Sequence, residues 1–514
     1  MSRIVLATLN ARYAHASLGL RYLAANMGEL AGETKIVEFV LGTRPADLVE
    51  VVLTEKPRIV GFGVYIWNAE ETTKVVAMLK RVAPEVVVVV GGPEVSYEVE
   101  EQRICALADH VITGWGDITF AKLCRDILAG EAPRQKVIAG EQPDLSRIAL
   151  PYGLYTDEDI TRRFLYVEAS RGCPFKCEFC LSALDKTAWP FDLDRFLAAV
   201  ARLHERGARH FRFVDRTFNL KVGASLKILE FFLGRLDEKL FVHFEVIPDH
   251  LPDNLKEMIA RFPAGTLQFE VGFQTWNPEV QALISRKQDD AKAEANLAWL
   301  RNHSNALIHA DLIAGLPGED MDSFASGFDR LYALAPHEIQ VGILKRLRGT
   351  PIARHTGNYR MRYNPDPPYN VLVTDRIGFA DMQRIARFAR YWEMIGNSGR
   401  FRRALPLILG QTPSGAPRDR PFASFMLFSD WLFAKTGKTH EIALERLFDL
   451  VHAFLTAELG VAADTAAAAL RRDYEASGAK GRLEFLDSSA RRDAQRSASR
   501  RDRMRQARHI MSDG

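Results

Sequence analysis

The sequence predicts an α/β protein in three parts: an N-terminal doubly wound, Rossmann-like domain, a partial barrel of six β/α units, and a mainly helical C-terminal region. Three observations carry this. Short apolar runs alternate with helical stretches over residues 3–130 and again over 161–350. Small residues cluster just after the apolar runs of the first part. The alternation stops after the proline-rich Asn364-Pro365-Asp366-Pro367-Pro368.

In the first part, residues 3–9 are a short apolar run, 17–30 have helical periodicity, and 35–40, 58–64, 85–90 and 110–113 are further strand candidates. Five consecutive valines at 86–90 suit a central parallel strand buried on both faces. A doubly wound sheet binds ligands outside the carboxyl ends of its strands. Gly61 and Gly63, then Gly91-Gly92-Pro93, then Gly114 and Gly116 fall at those ends. Glycine lets a backbone approach a ligand closely, although glycines also simply end strands. None of these forms a G-x-G-x-x-G pattern, so a dinucleotide domain is not supported.

Residues 131–160 carry Pro133, Pro143 and Pro151 with little periodicity and read as a linker. The second part (161–350) has strand candidates at 164–169, 210–214, 241–246, 267–271, 307–313 and 338–343, with helices such as 194–206 and 290–302 between them. Six units are too few for a closed eight-stranded barrel, and chemistry is expected at the strand C-termini. Residues 351–486 form the helical part, and 487–514 an Arg-rich tail.

Composition is that of an ordinary globular chain, 47% hydrophobic and 26% charged over 514 residues. The formal charge of +3 is unevenly spread: 487–514 hold eight Arg against four Asp, a local +4, which leaves the preceding 486 residues near −1. A neutral body argues against coating nucleic acid or an anionic membrane. No apolar run reaches membrane-spanning length and the first twelve residues carry no signal-peptide pattern, so a cytoplasmic protein is expected.

The five cysteines are too few for a disulfide scaffold. Cys105 and Cys124 stand alone and read as buried apolar residues. Cys173, Cys177 and Cys180 fall in Ser170-Arg171-Gly172-Cys173-Pro174-Phe175-Lys176-Cys177-Glu178-Phe179-Cys180, a C-x3-C-x2-C spacing directly after a strand. Thiolates so spaced converge on one iron–sulfur cluster. Structural zinc normally takes four ligands, and His204 and His210 lie beyond the next helix. Three ligands on a four-iron cluster leave one iron open to a substrate or cofactor.

In this context the motif resembles that of the radical S-adenosylmethionine (SAM) superfamily. The resemblance makes Cys173, Cys177 and Cys180 the ligands of a [4Fe-4S] cluster and puts Phe179 near the adenine of SAM. At other strand ends it implies contacts to SAM from Asp215 and Thr217, which stand where many relatives carry Gly-Gly-Glu, from Glu245, from Gln274 in Gly272-Phe273-Gln274-Thr275, and from Gly315 and Pro317 in Gly315-Leu316-Pro317-Gly318-Glu319. Helix capping, by Asn219 in the first case, is the plain alternative for the groups around Asp215 and for the last element.

Before such a barrel, the N-terminal domain resembles the cobalamin-binding domain of B12-dependent radical SAM enzymes. Tyr65, Trp67 and Asn68, then Gly91, Gly92, Pro93 and Glu94, then Gly114, Gly116 and Asp117 carry that likeness. The D-x-H-x-x-G motif of cobalamin mutases is absent, and His15 and His110 lack its context, so a histidine lower ligand to cobalt is not expected. Residues 387–401 resemble the helical extension of one uncharacterised branch of these proteins.

The resemblance implies a cobalamin-dependent radical SAM enzyme, first of all a methyltransferase acting on an unactivated carbon through SAM and methylcobalamin. A cyclase or rearrangement enzyme with the same cofactors, or a non-catalytic cobalamin or iron–sulfur sensor, are the alternatives. The implied partners are a small-molecule or peptide substrate and an external reductant such as flavodoxin or ferredoxin, with neither membrane nor nucleic acid.

Overall fold

β1 (Ile4–Asn10), β2 (Thr34–Val40), β3 (Ile59–Gly63), β4 (Val87–Gly91), β5 (His110–Thr113) and β6 (Val137–Ala139) form one parallel sheet in the order β2-β1-β3-β4-β5-β6. The computed structural model describes residues 2–185, 187–410 and 420–486. The expected tail at 487–514 lies outside them.

Alternate side chains of these strands enter different cores. Val5, Ala7, Leu9, Val88 and Val90 join one apolar cluster with Leu48, Val76 and Leu79 of the helices Pro45–Thr54 and Ala69–Val82. Ile4, Leu6 and Val89 join another with Leu20, Phe120 and Leu123 of the helices Leu18–Ala25 and Thr119–Ala129. A strand covered on both faces must be apolar throughout, which is why the valine run is central. Each buried Val, Leu, Ile or Phe among them contributes roughly 1.5–3 kcal/mol by leaving water. Successive connections run outward from β1 in opposite directions, which opens a crevice at the carboxyl ends of β1 and β3.

The segment expected to be a linker is partly built into the fold: β6 extends the sheet from the expected five strands to six, and Asp157–Arg162 forms a short helix with a Thr156 capping box. Three residues on a sheet edge offer too little alternation to be read from sequence.

β7 (Leu165–Val167) begins the second sheet. It is followed by a small antiparallel pair, β8 (Ser170–Gly172) with β9 (Ala188–Pro190), and then by β10 (His210–Phe213), β11 (Phe241–Val246), β12 (Leu267–Gln274), β13 (Leu307–Ala314) and β14 (Glu338–Ile343). The sheet order is β14-β13-β12-β11-β10-β7, and the pairs from β7 to β13 are parallel. Phe211, Phe213, Phe244 and Phe269 are buried, with Phe211 and Phe213 packed on Phe232 of the helix Val222–Leu233. The alternate positions, His243, Glu245, Glu270, His309 and Asp311, therefore share the opposite face. That polar face lines the barrel.

The chain divides into two compact units. The first comprises Met1–Phe324, Leu334–His337 and Val341–Phe379, and includes a short hairpin, β15 (Arg362–Tyr363) and β16 (Val371–Val373). The second comprises Ala325–Ala333, Glu338–Gln340 and the described residues from Ala380 on. It is built around an aromatic cluster in which Phe328 meets Phe388 and Trp392 edge-on at 5.1 and 4.9 Å. The helical unit thus begins nearer 380 than the expected 351.

Candidate functional site

The three clustered cysteines lie in the loop closed by β8 and β9. Cys180 N–H donates to the Cys177 carbonyl (3.0 Å) and Ala183 N–H to that of Cys180 (3.2 Å), so successive turns bring the thiols together. All three face one cavity of about 170 Å³, together with Phe175, Phe179 and Thr217. Burial pushes the Cys173 thiol up to about 11. Burial also raises that of Cys177, opposed by the guanidinium of Arg286, which donates to its Sγ at 3.7 Å. Among the described residues no three His, Cys, Asp or Glu side chains are placed to hold a single metal ion. Three thiols lining one cavity suit a four-iron cluster, in which each thiolate binds its own iron.

The polar face of the barrel supplies the rest of this cavity. Glu245 accepts from Arg216 (2.6 Å); burial raises its carboxyl, and Arg216 opposes the rise. Glu270 takes a 3.2 Å bond with His243, which holds its carboxyl below the usual range. Asp311 is pushed well up, by burial first and then by Glu270 and Glu245, and its Oδ1 is buried with no hydrogen-bond partner among the described residues. Gln274, at the β12 bulge with φ +68°, also lines the space. Such a cavity can hold a cationic group against Glu245 and Glu270 and keep a proton on Asp311.

Three other expected SAM contacts lie elsewhere. Asp215 is buried and accepts from Ala169 N–H (3.0 Å) and Ser170 Oγ (2.6 Å), tying β8 to the end of β10; burial pushes its carboxyl up to about 7. Gly315 and Pro317 do not line the cavity. The adjoining Glu319 accepts from Thr275 Oγ1 (2.5 Å), and burial raises it to about 7. Asn219 caps no helix: its side chain bonds the Ile247 backbone in both directions and the His250 carbonyl.

A second, larger cavity of about 540 Å³ opens at the carboxyl ends of the first sheet. Tyr65, Gly91, Gly92, Pro93, Gly114, Gly116 and Asp117 line it, as expected of a ligand crevice. Gly92 has φ +114°, and a Cβ there would fall 2.5 Å from the Val64 carbonyl oxygen, so no other residue fits this turn. The lining is mainly apolar with glycine backbone, the surface a broad, flat ligand with polar edges needs.

Trp67, Asn68 and Glu94 stand outside this lining. Trp67 stacks on Tyr65 at 4.5 Å and donates to the Leu9 carbonyl. Asn68 is fully buried and bonds Tyr65 N–H and the Leu9 and Gly63 carbonyls, which locks the turn after β3. Glu94 binds Arg348 and the Tyr369 hydroxyl.

The two cavities share a wall. Leu181, Ser182 and Leu184 of the turn Leu181–Leu184, directly after the last cysteine, face the large cavity, while Ala183 faces the thiols.

Residues 4–124 match the B12 binding domain family, and residues 167–331 the radical SAM superfamily. The chain belongs to the B12-binding radical SAM enzymes. Residues 357–512 of this radical SAM protein match a further family, described as a protein of unknown function (DUF4080). Among curated proteins it is 29% identical over 236 residues to an uncharacterized methyltransferase, PH0819, of Pyrococcus horikoshii, covering 41% of this chain and 51% of that one. It is 23% identical over 339 residues to the cobalamin-dependent radical SAM methyltransferase TokK of Streptomyces tokunonensis, covering 56% and 47%. The chain thus spans about half the length of these relatives. Its fold is that of the methyltransferase TsrM from Kitasatospora setae, solved with cobalamin and a [4Fe-4S] cluster: TM-score 0.59, 15% identity, covering 93% of this chain and 100% of that one.

Among the charged residues of this radical SAM barrel, Asp215 and Glu245 were expected from the sequence, and others that face the thiol cavity were not. Arg216, Glu270, Arg286 and Asp311 all line the thiol cavity. The signal was available for Glu270 and Asp311, because each follows a buried apolar residue in strict alternation on β12 or β13. No membrane-crossing helix is present among the described residues.

Proposed function

We propose that this protein is a cobalamin-dependent radical SAM methyltransferase that places a methyl group on an unactivated carbon of a small molecule. In this reading Cys173, Cys177 and Cys180 hold a [4Fe-4S] cluster, SAM lies beside it against Phe179, Thr217, Glu245 and Gln274, and cobalamin occupies the large cavity. When bound, these groups supply the electron and radical chemistry of SAM cleavage and a cobalt centre that carries methyl.

The chain itself binds, orients and dries the site. Phe175 and Phe179 exclude water from the thiol cavity, Arg216 and Arg286 balance the negative charge of the thiolates, and the Glu245–Glu270 side accepts the cationic parts of SAM. The observation that carries the reading is the shared wall: a substrate held at the turn Leu181–Leu184 lies within reach of both cavities. The electron comes from an external one-electron donor of the flavodoxin or ferredoxin kind, and the thiols call for the reducing conditions of a cytoplasm.

Anoxic reconstitution with iron, sulfide, hydroxocobalamin, reductant and SAM tests this. A bound-cobalamin spectrum together with S-adenosylhomocysteine and 5′-deoxyadenosine in the mass spectrum supports it. A chain that binds neither cofactor and leaves SAM intact sinks it. Once a substrate is known, a product of unchanged mass would move the reading from methylation to rearrangement.

A further inference from the structure

Glu178, between the second and third cluster cysteines, is one of the most fully bonded residues in the barrel, and nothing in the reaction above uses it. Its side chain is 3% exposed and accepts from Ser285 Oγ (2.6 Å), from His355 Nε2 (2.9 Å) and from the Arg354 guanidinium. Its backbone N–H donates to the Ile284 carbonyl (3.0 Å), and its carbonyl accepts from Ile352 N–H (3.0 Å). The cysteine loop is thereby bolted to the segment 284–286.

That segment is a helix end of unusual composition. The helix Pro278–Leu283 closes with Ser285 N–H donating to Ala282 (3.2 Å) and Arg286 N–H to Gln281 (2.8 Å), the paired bonds of a Schellman motif. Ser285 occupies its left-handed position at φ +54°, where glycine is favoured because a Cβ is strained. The hydroxyl bond to Glu178 holds a serine in that conformation. The turn then sends Arg286 back across the cavity mouth, where it donates to Cys177 Sγ (3.7 Å), to the Gly272 carbonyl and to Gln288 Oε1.

We infer that Arg286 raises the reduction potential of the cluster by placing a hydrogen bond and a positive charge at the Cys177 sulfur, and that Glu178 is the positioning residue that keeps it there. The inference rests on the cluster reading above. Reduction adds negative charge to the cluster, and a guanidinium at a ligand sulfur stabilises that charge, so its presence favours the reduced form. Glu178 has no direct contact with a thiol sulfur in this arrangement; it acts through the turn that aims Arg286.

The test is an EPR-monitored redox titration of the anoxically reconstituted full chain without SAM, with iron and sulfide counted in every sample. Arg286→Gln should hold as much cluster as the parent at a more negative midpoint, and Arg286→Lys should fall between the two. Ser285→Gly keeps the turn but removes the hydroxyl, and should shift the midpoint in the same direction, as should Glu178→Gln. The double variant R286Q/E178Q should shift no further than R286Q alone. An unmoved midpoint in R286Q overturns the role of Arg286; additive shifts in the double variant overturn that of Glu178. If R286Q or E178Q assembles no cluster, R286K and S285G decide in their place. A parent chain without a four-iron signal defeats the cluster reading itself, a result distinct from a normal cluster whose potential does not respond.

Discussion

Arg171 and Asp117 are ion-paired at 3.0 Å, which joins the residue two before Cys173 to the turn after β5 in the B12-binding domain. Arg171 also binds Glu168 and lies over the rings of Tyr22 and Trp115 at 4.7 and 4.8 Å. Asp117 and Glu168 are both buried, so removal of the guanidinium leaves two carboxylates without their partner. Arg171→Ala should destabilise the first unit by about 3 kcal/mol. Denaturant unfolding under anoxic conditions measures this, and a loss under 1 kcal/mol, the range of an exposed pair, would contradict it.

Gly92 and Gly114 separate two kinds of glycine. At Gly92 a methyl meets the Val64 carbonyl at 2.5 Å as well as an unfavourable φ; at Gly114 (φ +72°) nothing lies within 4 Å. Gly114→Ala should cost about 1–2 kcal/mol for the left-handed backbone alone. Gly92→Ala should cost more than that and weaken cobalamin binding as the turn shifts. Thermal unfolding and an optical cobalamin titration compare the two, and equal effects would show that the turn yields easily.

Glu319 makes the fold sensitive to pH. Burial raises its carboxyl to about 7 in the folded chain, far above an unfolded glutamate. Between about pH 4.5 and 7 the unfolded chain has released this proton while the folded one retains it, so this residue's contribution to stability falls as pH rises through that window. Glu319→Gln, which cannot ionise and still accepts from Thr275, should stabilise the protein by about 3 kcal/mol at pH 8 and leave it nearly unchanged at pH 4. Denaturation curves for both chains at the two pH values check it. A gain equal at both would mean that ionisation is not the cause.

The cysteines should be separable from the cobalamin cavity. Cys177→Ala should abolish the cluster's EPR signal and SAM cleavage while leaving the bound-cobalamin spectrum in place, because Cys177 lines only the smaller cavity. Loss of cobalamin along with iron would instead mean that one site cannot fold without the other.

Much of the fold was legible because hydrophobic order dictates it. Valines 86–90 suited a strand covered on both sides, and short apolar runs alternating with helical stretches marked the strands of the barrel. The thiols were legible from spacing, since few arrangements place three cysteines in eight residues after a strand. Polar residues were harder. Asn68, Glu94 and Asp215 occupy ligand-like positions in sequence, yet their side chains satisfy backbone groups or ion pairs within the protein, and sequence does not distinguish the two uses of the same oxygen. Arg286 was hidden for another reason: the turn that aims it carries serine where glycine would have marked a helix end.

The four residues from Leu181 to Leu184 border both cavities within a single turn. A substitution there is felt twice, once by whatever fills the larger space and once beside the thiols. Neither compartment can drift independently along this stretch of chain, so a change of substrate that reshapes it must remain compatible with both halves of the chemistry at once.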